Sequence, residues 1–223
     1  MLAKLKALAT LLIAAAIAGA ITACGSRPTA EPAPPTALPP TPTLPAVTGL
    51  AENLTIRLED LPGGFTMAGE DRPGGNAYSV VYLRPDVLAQ QPPTSASLVG
   101  VIENLSILTD MAGAHAQFAA QGTDTASIAR DVQEVSGNAS NVDVQPYAAS
   151  VAGADEVIAF RVRYVIGSTR LLEYRYRMRV GNVLVNLIVT ATVLETEVES
   201  ANIREQAQAL AQKQVEHIND ARR

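Results

Sequence analysis

Near the C-terminus, apolar residues recur at every second position through 156–166, 169–180 and 183–194. Alternation of this period predicts three strands. Gly167 marks the first joint, and Gly181-Asn182 has the composition of a two-residue hairpin turn of primed type. Pairing Val180 with Val183 sets Tyr176 against Leu187 and Tyr174 against Val189. On the opposite face Arg177 then meets Asn186 and Arg175 meets Ile188.

Upstream, NLTIRLEDL (53–61), AYSVVYL (77–83) and ASLVGVIENLSI (96–107) also read as strands. VDVQPYAAS (142–150) reads as an edge strand, because Pro146 cannot donate to a central ladder. Two helices are expected between them. One runs from a cap at Asp110 to Gly122, and the other lies in TDTASIARDVQEVSGN, with a glycine stop. A final amphipathic helix starts at a Ser200 cap and turns Ile203, Ala207, Leu210, Ala211 and Ile218 inward.

The predicted class is α+β: an antiparallel sheet, with a meander from 156 to 194, and helices packed on one face. The covered face is expected to combine Ile158, Phe160, Val162 and Tyr164 with Leu172, Tyr174, Tyr176 and Met178.

The N-terminus follows another pattern. Two lysines in MLAKLK precede the apolar run ALATLLIAAAIAGA, which has signal-peptide length and is short for a membrane span of ~20 apolar residues. It ends in ITAC, which resembles the bacterial lipobox. That resemblance implies cleavage before Cys24, a diacylglycerol on its thiol and an acyl group on its amine. Several buried chains anchor firmly, at ~0.8 kcal/mol per CH₂. Eight of the chain's 14 prolines then fall between Arg27 and Val47. Such a segment favours extended polyproline II, reaching roughly 60 Å as a semi-rigid spacer. The expected organisation is a signal at 1–23, a lipidated Cys24 with its tether at 24–47, and one extracytoplasmic domain at 48–223. The protein is expected on the outer face of the cell membrane or in the outer membrane. Cys24 is the only cysteine, so no disulfide within the chain can stabilise this domain.

Without the signal the chain carries 15 basic and 22 acidic side chains, which gives no reason to expect nucleic-acid binding. Within that acidic protein, 157–194 holds six arginines and one acid. Arg161, Arg163, Arg175, Arg177 and Arg179 are expected as a stripe on the polar sheet face. Planar guanidinium forks suit carboxylates, phosphates and sulfates, although a solvated polar face is the plainer reading. His115 and His217 sit on separate helices without ligand-spaced partners, His217 being expected exposed. No metal site, cofactor, nucleophile elbow or phosphate loop is read, and no enzyme is expected.

The lipidated cysteine, the Pro/Thr stalk, DLPGGF, the helix pair, RMRVGNVLVNLIV and the alanine-rich last helix together form one layout. It resembles free-standing sensor-type bacterial lipoproteins related to the extracellular domain of some bacterial serine/threonine kinases. The resemblance implies an α+β sandwich with a ligand groove. The kinase-type domains carry two disulfides for which this chain has no cysteine, so no site residue is carried over. Two functions are expected. One is a sensing module for an anionic or amphipathic small molecule. The other is an envelope scaffold using the arginine face against a protein or the cell wall.

Overall fold

A computed structural model describes residues 45–89, 93, 95–194 and 201–223. The segment read as a signal, Cys24, most of the segment read as a tether, and the expected Ser200 cap lie outside the described residues. Seven strands form one antiparallel sheet in the order β1-β2-β3-β7-β6-β5-β4. They are β1 (Thr66–Gly74), β2 (Ala77–Leu83), β3 (Ser97–Ile107), β4 (Ala139–Tyr147), β5 (Glu156–Ile166), β6 (Thr169–Val180) and β7 (Val183–Val193). Two meanders, β1 to β3 and β4 to β7, are therefore joined where β3 pairs with β7. The helices are a single turn α1 (Pro85–Leu88), then α2 (Met111–Ala120), α3 (Thr125–Ser136) and α4 (Ala201–Asp220).

Local chemistry sets the helix ends. The Asp110 carboxylate accepts from the Gly113 amide and Asp124 from the Ala126 amide, satisfying donors that a first helical turn leaves free. Gly137 ends α3 in the left-handed region at φ 61°, where a side chain would be strained.

The 53–61 stretch is not a strand. It forms two 3₁₀ turns, Ala51–Leu54 and Leu58–Asp60, joined by an extended link that buries Ile56 completely. β1 lies instead between the turn of LPGGF and the Gly75-Asn76 turn, in TMAGEDRPG. This segment is polar and exposed almost throughout, so it carries no alternation from which a strand could be read. Pro146 does lie on an edge strand, β4.

The β6–β7 register is as expected, from Val180↔Val183 to Arg175↔Ile188. The β5–β6 register is not. A two-residue Gly167-Ser168 turn pairs Ile166 with Thr169, so even positions on β5 oppose odd positions on β6. Phe160 lies beside Arg175 and Val162 beside Glu173, while Arg161 lies beside Tyr174.

Consequently both faces are apolar over this half of the sheet, and the helices are divided between them. On one face Ile203, Ala207, Leu210 and Val215 of α4 pack on Leu172, Tyr174, Tyr176 and Met178. On the other, Ile128 and Val132 of α3 pack on Phe160, Val162, Tyr164 and Leu171. Ala114 and Phe118 of α2 pack there on Leu184. At roughly 25 cal/mol per Å² of apolar area, sealing two faces is what lets so thin a sheet hold a full core.

Val47, assigned to the tether, belongs to this core at 2% exposure. Its amide and carbonyl are held by Asn182 at the β6–β7 turn, and Arg222 Nε donates to the Pro45 carbonyl. Residues 45–47 therefore pack beside that turn.

Candidate functional site

α3 covers the β4–β6 side of the sheet face it shares with α2, and α2 reaches Leu184 beside the β6–β7 turn, which leaves the rest of that face open. Between them, the β1–β2 edge and Leu88 of α1 lies a groove of about 520 Å³, within the usual range for small-molecule sites. Its floor follows from the strand register. Ser79, Asn104, Asn186 and Arg177 are successive cross-strand partners and form one polar row over four strands. Two residues along each strand, Val81, Ile102, Ile188 and Arg175 form a second, largely apolar row. The next row holds Gly100, Thr190 and Glu173. An antiparallel sheet aligns such rows because side chains opposite each other share a face.

The polar groups of this floor are unevenly satisfied. Ser79 donates to Asn104 Oδ1. Thr190 is 2% exposed, and its Oγ1 has no hydrogen-bond partner. A buried hydroxyl left in this way costs free energy that a ligand could recover.

The arginines are heavily engaged. Arg175 Nε and Nη2 both reach Glu173 Oε2 at 2.8 Å, and Tyr164 donates to Glu173 Oε1 at 2.6 Å. Burial lowers the pKa of the Arg175 guanidinium, but the Glu173 carboxylate outweighs it and holds the group above its usual value. Burial, and then the carboxylate, push the Tyr164 hydroxyl well up. Arg177 Nη1 donates to the Gln121 and Gly122 carbonyls at the end of α2 and lies over the Phe160 ring. Burial, followed by the neighbouring Arg175, lowers its pKa. Arg179 bonds Asp155, Glu156 and the Gly181 carbonyl.

The expected stripe of five arginines is therefore split. Arg175, Arg177 and Arg179 share the α2/α3 face, whereas the register puts Arg161 and Arg163 opposite Tyr174 and Leu172 on the α4 face. Arg161 donates to Gln145 there. The groove lining has four carboxylates, Asp71, Asp131, Glu134 and Glu173, against the two guanidiniums of Arg175 and Arg177. It is not a basic surface.

His115 is exposed and pairs with Glu156 at 2.9 Å. Burial opposes ionisation of Glu156, but hydrogen bonds from His115 and Arg179 win and lower its pKa. His217 is not exposed as expected. It is half-buried between the Thr55 carbonyl at 3.1 Å and Asp60 at 3.3 Å. Among the described residues no group of three His, Cys, Asp or Glu could hold a metal ion, and no helix is long and apolar enough to cross a membrane.

Sequence reading did not give the residues of the groove floor, because that floor depends on β2 and β3 lying beside β7, a long-range pairing. The available signal was polar residues at alternate positions of strands otherwise apolar: Ser79, Asn104, Asn186 and Thr190. No family model, curated protein or solved structure matches the chain.

Proposed function

We propose that this is an exported lipoprotein, anchored by lipid on Cys24 and held off the membrane by its proline-rich tether. Its domain is a ligand-binding or sensing module for an amphipathic molecule, which it takes into the groove beside α2 and α3. The observation that carries this reading is the unpartnered Thr190 hydroxyl, buried in the floor of the groove. Ile102 and Ile188 beside it supply apolar contact, while Asn104 and Asn186 supply polar contact. The anionic half of the original expectation has less support, because Glu173 and the α2 carbonyls already occupy the guanidiniums that line the groove.

Anchoring is tested by growing cells with an alkyne-tagged palmitate. The wild-type chain takes up the tag and Cys24→Ser does not; equal labelling of both would overturn the anchor. Binding is tested on the full chain in lipid nanodiscs, by hydrogen exchange with octyl glucoside below its micellar concentration. Amides of β3, β7 and α3 are expected to exchange more slowly, and Ile188→Glu is expected to abolish the effect. No protection, or protection unchanged by that substitution, would overturn the groove as the site.

A further inference from the structure

The row across the floor carries the chemistry of the ligand further. Ser79, Asn104 and Asn186 are direct cross-strand neighbours, so their side chains repeat at about the 4.8 Å spacing of adjacent strands. Each is uncharged and can both donate and accept. The same is true of Thr190 and of Gln117 on the α2 wall. Among the described residues the side-chain amides of Asn186 and Gln117 make no hydrogen bond within the protein.

Groups that donate and accept at once are matched by hydroxyls, which do the same. A primary amide fits a vicinal diol, its carbonyl taking one hydroxyl proton and its NH₂ meeting the neighbouring oxygen. Carboxylates or phosphates would use only the donor half of this row and would face four carboxylates in the lining. An ammonium group would use only the acceptor half. Alongside the polar row, Ile102 and Ile188 offer a strip for a C–H face. A polar edge beside an apolar strip is the profile of a sugar ring.

Resting on the reading of the groove as a ligand site, we infer that it takes a neutral, hydroxyl-rich ligand of the oligosaccharide class, lying across the strands along Ser79, Asn104 and Asn186. Thr190 donates its hydroxyl deeper in the floor, and α3 closes one side. Gly100 lies opposite Thr190, and its missing side chain leaves bare the site where a Cβ would touch Leu83 Cδ2 at 3.4 Å and Thr190 Cβ at 3.7 Å.

The test uses the full chain in lipid nanodiscs and titrates maltohexaose, cellohexaose, N-acetylchitohexaose and a sulfated heparin hexasaccharide by calorimetry. At least one neutral oligosaccharide is expected to bind, more tightly than the heparin fragment and with little dependence on salt. Asn186→Leu and Thr190→Val are each expected to weaken it at least tenfold. Thr190→Val keeps the side-chain shape, so its thermal midpoint should stay at or above that of the wild type while binding falls. That combination separates a contact with ligand from loss of the fold. Tighter binding of the heparin fragment, or neutral binding unchanged in both variants, would overturn the inference. If octyl glucoside protects the groove but no neutral oligosaccharide binds, the groove stands and this ligand class fails. If neither does, both fail.

Discussion

Asn182 and Val47, 135 positions apart, hold each other through a reciprocal pair of hydrogen bonds, Val47 N to Asn182 Oδ1 at 2.7 Å and Asn182 Nδ2 to Val47 O at 3.0 Å. The same Nδ2 reaches the Leu108 carbonyl at 2.8 Å. One buried amide thus joins the entering chain, the end of β3 and the β6–β7 turn. Asn182→Ala leaves these backbone groups unpaired, and each such group costs about 1–3 kcal/mol. The domain should lose about 2–4 kcal/mol in urea denaturation, and the amides of 47–56 should exchange faster than those of β6. An unchanged midpoint would mean that water replaces the amide without cost.

Glu103 is fully buried on the α4 face, where Oε2 accepts from the Ile56 amide and Oε1 has no partner. Desolvation raises its pKa to about 8 from 4.5, against the opposing effect of the Ile56 bond. The folded state therefore keeps a proton that the unfolded chain releases. Stability is fully present below about pH 4.5 and is lost as pH rises towards about 8, by at most roughly 1.4 kcal/mol per pH unit. Glu103→Gln should flatten that part of the profile. Urea midpoints of both proteins between pH 5 and 8 check it, and equal slopes would refute it.

The residues that could be read from sequence are those whose partners lie close in the chain. Val180 and Val183 are separated by two residues, and the register spreading from that turn places Arg175 against Ile188 as anticipated. The helix cap at Asp110 is equally local. Phe160 and Tyr174 show where this stops. Both lie in alternating strands, but alternation gives no clue to which face is which when both faces are covered. Phe160 packs under α3 and Tyr174 under α4. That parity error separates Arg161 and Arg163 from the other arginines, and with them the basic stripe. The groove floor was further out of reach, since Asn104 and Asn186 meet only when the two meanders join.

Glu173 is the hub of a buried network, with Tyr164 on one oxygen and Arg175 on the other. Glu173→Leu would leave Arg175 as a charge with 14% side-chain exposure and no carboxylate. Breaking one side of such a pair costs about 3–5 kcal/mol, whereas replacing both partners with apolar groups is often neutral. The single variant should melt well below the wild type, and Glu173→Leu with Arg175→Met should recover most of the loss. If the double variant is no better than the single, the network contributes through packing and not through charge.

Gly181 and Gly167 lie in equivalent two-residue turns with nearly equal φ, 62° and 60°. A Cβ at Gly167 would meet nothing within 4 Å, while one at Gly181 would lie 2.9 Å from Arg222 Cζ. Gly167→Ala should therefore cost only the left-handed backbone term, about 1–2 kcal/mol. Gly181→Ala adds displacement of the Arg222 guanidinium, whose Nε donates to the Pro45 carbonyl. The excess of the second over the first should be about 1 kcal/mol, the value of one such bond. It should disappear when both substitutions are repeated in an Arg222→Ala background, because the side chain that must move is gone. Four urea denaturation curves give the comparison. If the excess persists without Arg222, it comes from the turn itself and not from the contact between Arg222 and the Pro45 carbonyl.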